Sequence, residues 1–132
     1  MAEPLLPATT YMDVVAEGTL NADGTEQTVI SKEDNKYPFV LAAWLDLSNM
    51  EVTDTIILRE YVKVKKGGTM VKYDEQSYAG IQPNPALFIT SKPSVYGIKI
   101  TLQQTAGPLK SFDYIVLRQQ SAIDRGAIVF TS

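Results

Sequence analysis

Carboxylates are the main side chains in this sequence with the means for acid–base chemistry, because it contains no histidine and no cysteine. Those two absences remove the commonest general base, the commonest transition-metal ligand, thiolate nucleophiles and disulfides. Asp46, Glu51 and Asp54 lie close together in the chain. Carboxylates held about 5–10 Å apart across a cleft would serve glycoside hydrolysis, and a cluster of them would hold calcium. Loop capping and solvation account for the same residues, and closeness in sequence builds no cleft. The stretch Asn21-Ala22-Asp23-Gly24-Thr25-Glu26 begins like a calcium loop but lacks the ligand spacing and the terminal bidentate glutamate, so it reads as a β-turn. Lys65 and Lys66 precede Gly67-Gly68, which hints at phosphate. There is no nucleophile elbow, serine–lysine motif or phosphate-cradling glycine loop, and a hairpin turn with solvated lysines explains the stretch better. No enzymatic activity, cofactor or metal is therefore expected. Aromatic residues offer one further kind of chemistry, since Trp44, Tyr61, Tyr73, Tyr78 and Tyr96 could stack on a sugar. Tyr73 and Tyr96 fall on inward faces of expected strands, which leaves Tyr61 and Tyr78 as the exposed candidates. Tyrosine serves a protein–protein interface equally well.

The elements that would position these residues are strands. Thr55–Tyr73 reads as a long hairpin turning on Gly67-Gly68: Ile56, Leu58, Val62 and Val64 share one face, and Arg59, Tyr61, Lys63 and Lys65 the other. A two-residue primed turn places Val64 opposite Val71 and Val62 opposite Tyr73, which keeps the apolar residues on one side. The same register sets Lys63 against Lys72. That like-charge pair costs a few tenths of a kcal/mol, so it calls for a slipped register or an acidic neighbour, such as another subunit. Tyr37–Leu47 is the most apolar run, with Tyr37, Phe39, Leu41, Ala43, Leu45 and Leu47 on one parity and Val40, Ala42 and Trp44 on the other. Pro38 and the strand patterns around it favour a central strand over a buried helix, although periodicity alone leaves both open. Val95–Gln104 alternates cleanly, with Tyr96, Ile98, Ile100 and Leu102 inward. Weaker strands are expected at Asp13–Leu20 (Val14, Ala16 and Leu20 on one face), Thr25–Ser31, Ala86–Thr90 and Ser111–Arg118.

About eight short strands at intervals of about 8–12 residues, without a clear helix, describe an all-β fold. The expectation is a single antiparallel β-sandwich, jelly-roll-like, with an immunoglobulin-like sandwich as the second choice. Its body spans 13–120, between an extended arm at 1–12 and a tail at 121–132. At 132 residues, with 45% hydrophobic and 20% charged, the chain suits one domain with a real core. A net charge of −3 argues against nucleic acid, and no run approaches the ~18 apolar residues of a membrane span. The opening residues lack the basic start and apolar core of a signal peptide, so a soluble protein made in the cytoplasm is expected. Pro4 and Pro7 keep the arm extended, and its Leu5, Leu6 and Tyr11 are poorly suited to water. Ala127-Ile128-Val129-Phe130 gives the tail strand propensity. Both ends could pair with a neighbour by strand addition.

The succession LDLSNMEVTDTIILREYVKV, followed by VYGIKITLQQTAGPLKSFDYIVL, resembles small β-sandwich structural proteins encoded among the virion genes of tailed bacteriophages and related viruses. The resemblance covers roughly residues 37–118 and lies in general pattern. It implies a capsid decoration (cement) or minor capsid protein, or a tail or fibre component. It further implies a virion location, a major capsid or other virion protein as partner, and a homo-oligomer, by analogy a trimer. The residues expected to carry contacts are Leu5, Leu6 and Tyr11 of the arm, Lys63 and Lys72 of the hairpin, and Ile128, Val129 and Phe130 of the tail. A carbohydrate- or receptor-binding module is the alternative, and a hydrolase working with carboxylates alone is a third.

Overall fold

The computed structural model describes residues 10–121. These form eight strands: β1 (Thr10–Asn21), β2 (Gln27–Glu33), β3 (Phe39–Asp46), β4 (Thr55–Lys63), β5 (Met70–Ala79), β6 (Ala86–Thr90), β7 (Gly97–Ala106) and β8 (Ser111–Ser121). They pair antiparallel in two four-stranded sheets, ordered β1-β8-β3-β6 and β2-β7-β4-β5. This is the jelly-roll order, in which the chain crosses between sheets so that the first and last strands become neighbours. The expected arm at 1–12 begins outside the described residues, but Thr10, Tyr11 and Met12 already belong to β1, and Ser121 closes β8.

Period-two alternation builds the core. Phe39, Leu41, Ala43 and Leu45 of β3 all turn inward and are buried, as are Ile98, Ile100 and Leu102 of β7 and Phe112 and Val116 of β8. Ile56 and Leu58 of β4 meet them from the second sheet. Removing such side chains from water is worth roughly 1.5–3 kcal/mol each, which is what holds the two sheets face to face. Within the run Tyr37–Leu47, Phe39–Asp46 is thus a strand, paired on both sides by β8 and β6.

Four local expectations are corrected. The hairpin register is slipped: Val62 pairs with Val71, Lys63 with Met70 and Tyr61 with Lys72. Only Gly67 has positive φ, at 74°, and the Gly68 amide donates to the Lys65 carbonyl at 2.8 Å. The turn is therefore Lys65–Gly68 with one left-handed residue at its third position, not a primed pair needing two. Val64 lies in the loop, 74% exposed, instead of facing the core. A bulge between Glu60 and Tyr61 shifts the pairing again. In β1 a second bulge, between Val14 and Ala16, reverses the parity. Val14 therefore faces solvent while Leu20 is buried.

Candidate interaction surface

Asp46, Glu51 and Asp54 do not converge on one cleft. Asp46 closes its own turn, accepting from the Ser48 amide at 2.9 Å and from the Ser48 hydroxyl. Asp23 does the same with the Thr25 amide at 2.9 Å, so the calcium-like stretch is a turn that stabilises itself. Asp54 is fully buried; its Oδ2 accepts from the Glu51 amide at 2.8 Å and lies 3.0 Å from the Lys110 ammonium. Burial pushes the Asp54 carboxyl up, but the Glu51 amide and the Lys110 charge together hold it below its ordinary range. Among the described residues no group of three acidic side chains stands close enough to hold a metal ion.

The outer face of the β2-β7-β4-β5 sheet is polar and satisfied within the chain. Arg59 donates to Glu75 and Gln103, both at 2.9 Å. Glu26 accepts from Tyr61 and, at 2.6 Å, from Thr101. Lys99 sits 4.6 Å from the Tyr61 ring centre. Lys63 and Lys72, expected to face one another, do not. Lys63 pairs with Glu33 across the sheet, and Lys72 with Glu75 at 2.9 Å. The acidic neighbour required by the hairpin lysines is thus in the same chain. Tyr61 is engaged by Glu26, and Tyr78 packs against the core, so neither forms an open stacking platform.

Glu60 escaped notice in the sequence. It shares the inward parity of Ile56 and Leu58 and is only 7% exposed. The Tyr73 hydroxyl donates to its Oε1 at 2.7 Å. Burial, with Asp74 nearby, pushes the Glu60 carboxyl above its ordinary 4.5 despite that hydrogen bond. The folded state consequently binds the proton more tightly than the unfolded chain, and the charged form opposes folding as pH rises past about 4.5. Glu60→Gln keeps an acceptor for Tyr73 and removes the buried charge. It is expected to stabilise the protein at pH 7 by on the order of 1 kcal/mol and to do little at pH 4, as thermal melts at the two pH values would show.

The other sheet has a different outer face. Directly paired residues share a side, so the register assigns Val14, Leu117, Ala42 and Thr90 to one outward row. The next row is Glu17, Ile115, Trp44 and Phe88. Met12 and Val40 flank Gln119 in a third. Trp44 is 46% exposed and Phe88 48%, their ring centres 4.7 Å apart at a tilt of 49°. Beside them a groove of about 500 Å³ is lined by Trp44, Pro85, Ala86 and Ile115 together with Asp46 and Asp113. No lysine or arginine occupies these three rows. An apolar area of this kind on a sheet exterior marks a surface made for contact.

Of the residues singled out in the sequence for contacts, Tyr11 lies on β1 opposite Gln120 in this same sheet. Leu5, Leu6, Ile128, Val129 and Phe130 lie outside the described residues. Phe88 was not singled out, and Trp44 was noted only for a sugar platform and for its apolar parity.

No family model and no curated protein matches the sequence. The fold has counterparts among assembling proteins. A solved protein of Bacillus endospore appendages, described as disulfide-linked pili, is 13% identical with a TM-score of 0.54 over 92% of this chain and 96% of that one. A chain of the infectious bursal disease virus Gx strain gives a TM-score of 0.56 at 13% identity over 96% of this chain. The VP2 subviral particle of the same virus gives 0.50 at 15% identity over 97% of this chain. This chain spans little more than a third of those viral chains, 36% and 37% respectively. At such identities the likeness is one of fold.

Proposed function

We propose that this chain is a non-enzymatic structural protein of a virion, a decoration (cement) or minor capsid protein that acts as a homo-oligomer. The observation that carries the reading is the contrast between the two outer faces: one has its ionic groups paired within the chain, the other is apolar and contains no cation. A rigid sandwich with one contact face, plus apolar residues in both terminal segments, fits a building block better than a catalyst. The jelly-roll order and the fold likeness to capsid and pilus proteins support the same reading. In an assembly of this kind many modest contacts repeated by symmetry add up to strong retention. Leu5 and Leu6 of the arm, Tyr11 at the start of β1, and the tail residues Ile128, Val129 and Phe130 make the inter-subunit contacts, and the partner is a major capsid protein. A trimer is the assigned state, by analogy with shell proteins.

The test is the mass of the full chain by sedimentation, alone and with capsids of the virus that encodes it, beside chains lacking 1–9 or 122–132. The full chain should form an oligomer and travel with the capsid. Both truncated chains should keep the β-sheet circular dichroism of the domain and lose assembly or capsid binding. A full chain that is a strict monomer and ignores capsids would refute the reading.

A further inference from the structure

We propose that the apolar outer face of the β1-β8-β3-β6 sheet is the seat of the C-terminal segment, residues 122–132, of a neighbouring copy of this chain. The proposal rests on the assembly reading above and specifies where its contact is made.

The receiving surface is defined by the register. Val14, Leu117 and Ala42 run across the sheet, and Ile115, Trp44 and Phe88 run beside them toward the groove. The open groove beside Trp44, Ala86 and Ile115 has a volume of about 500 Å³, large enough for a phenylalanine side chain with its neighbours. With Glu17, Asp46 and Asp113 around it and no cation on it, the face does not suit an anionic occupant. A chain segment with successive aliphatic residues and an aromatic near its end suits it.

Residues 122–132 are such a segment: Ile123, Ala127, Ile128, Val129 and Phe130 supply its larger apolar side chains, and its two charged residues, Asp124 and Arg125, offset one another. Its origin is fixed as well. β8 ends at Ser121, paired with Thr10, at the margin of this sheet and at the end remote from the groove. The segment is as long as β8, which has 11 residues, and reaches about 36 Å when extended. β8 runs from the groove, at Asp113–Ile115, toward Ser121, so the groove of the same chain lies behind the point where the segment begins, and a neighbouring copy offers the receiving face without a reversal of the chain. Laying apolar residues on Trp44 and Phe88 would remove from water the largest exposed aromatic area on the described molecule.

Trp44 is the single tryptophan of the chain, so its fluorescence reports on this face alone. The experiment compares acrylamide quenching and emission wavelength of the full chain with those of the chain lacking 122–132, and sedimentation is run on the same samples. The full-length oligomer should emit further to the blue and be quenched several-fold less than the truncated chain. Phe130→Ser should give an intermediate value. A synthetic peptide of residues 122–132, added to the truncated chain, should restore the protection, and diluting the full chain to monomer should remove it. An oligomer whose Trp44 is as accessible as in the truncated chain would overturn the proposal and leave the assembly reading standing. Protection that persists in a diluted monomer would place the segment on its own domain and would also overturn it. A chain that is monomeric at every concentration with Trp44 open refutes the assembly reading itself.

Discussion

Gly107→Ala is expected to abolish stable folding. Gly107 follows β7 with φ of +84°, a conformation that side chains with a Cβ rarely adopt. A Cβ there would overlap Oδ1 of Asp54 and approach the Asp54 Cα to 2.9 Å. Neither obstacle is the loose end of a flexible side chain. Asp54 is fully buried, and its carbonyl accepts from the Gly80 amide at 2.8 Å while its amide donates to the Glu51 carbonyl at 3.0 Å. Gln104, also buried, holds the other side of the loop by donating to the carbonyls of Ala106 at 3.0 Å and Pro108 at 2.8 Å. The strain has nowhere to go, and a loss above about 4 kcal/mol follows, which for a domain of this size is most of its stability. Circular dichroism and thermal melting of the purified variant check this; a melting temperature within a few degrees of the parent would disprove the packing described.

Asp54→Ala is expected to cost about 3 kcal/mol, because removing one member of a buried pair leaves the other charge poorly compensated. Lys110 retains Glu51 at 2.9 Å, so the loss falls at the lower end for such pairs. The sign with pH follows from the depressed carboxyl. Its folded-state affinity for protons lies below the ordinary value of 3.8. The stability it contributes is therefore complete above about pH 4 and disappears as pH falls through the folded-state titration. Denaturant melts should show the gap between parent and Asp54→Ala narrowing as the pH is lowered below 4. A gap independent of pH would mean that the carboxylate charge contributes nothing and that only packing was lost.

Elements governed by period two could be read from the chain. Ala86–Thr90 emerges with the expected bounds, and the inward residues Ile98, Ile100 and Leu102 are those the alternation selects. Alternation survives because each strand residue chooses one of two sides, and a buried side tolerates little else. Features set by a single backbone angle or by distant partners could not be read. Two adjacent glycines look like a primed turn, yet only Gly67 adopts positive φ, and that one difference displaces the hairpin register. The bulges at Val14/Ala16 and Glu60/Tyr61 carry no residue type that announces them. Asp54 looks like any loop carboxylate until Lys110, far along the chain, arrives beside it. The second apolar parity of β3 has a different physical meaning: on this interior strand Ala42 is covered by its neighbours, while Trp44 stands 46% exposed on the outer face.

The pairing of Thr10 with Ser121 has a mechanical consequence. The two ends of the described domain, Thr10 and Ser121, therefore lie at one corner, on adjacent strands. A pull that separates them would unzip β1 from β8 one rung at a time, since the load falls on the last pair only. A pull on a tail lying across a sheet face is opposed in shear, by all its side-chain contacts together. A shell whose subunits are joined by tails across faces would resist expansion strongly, while the same subunits would peel apart under a force applied at that corner.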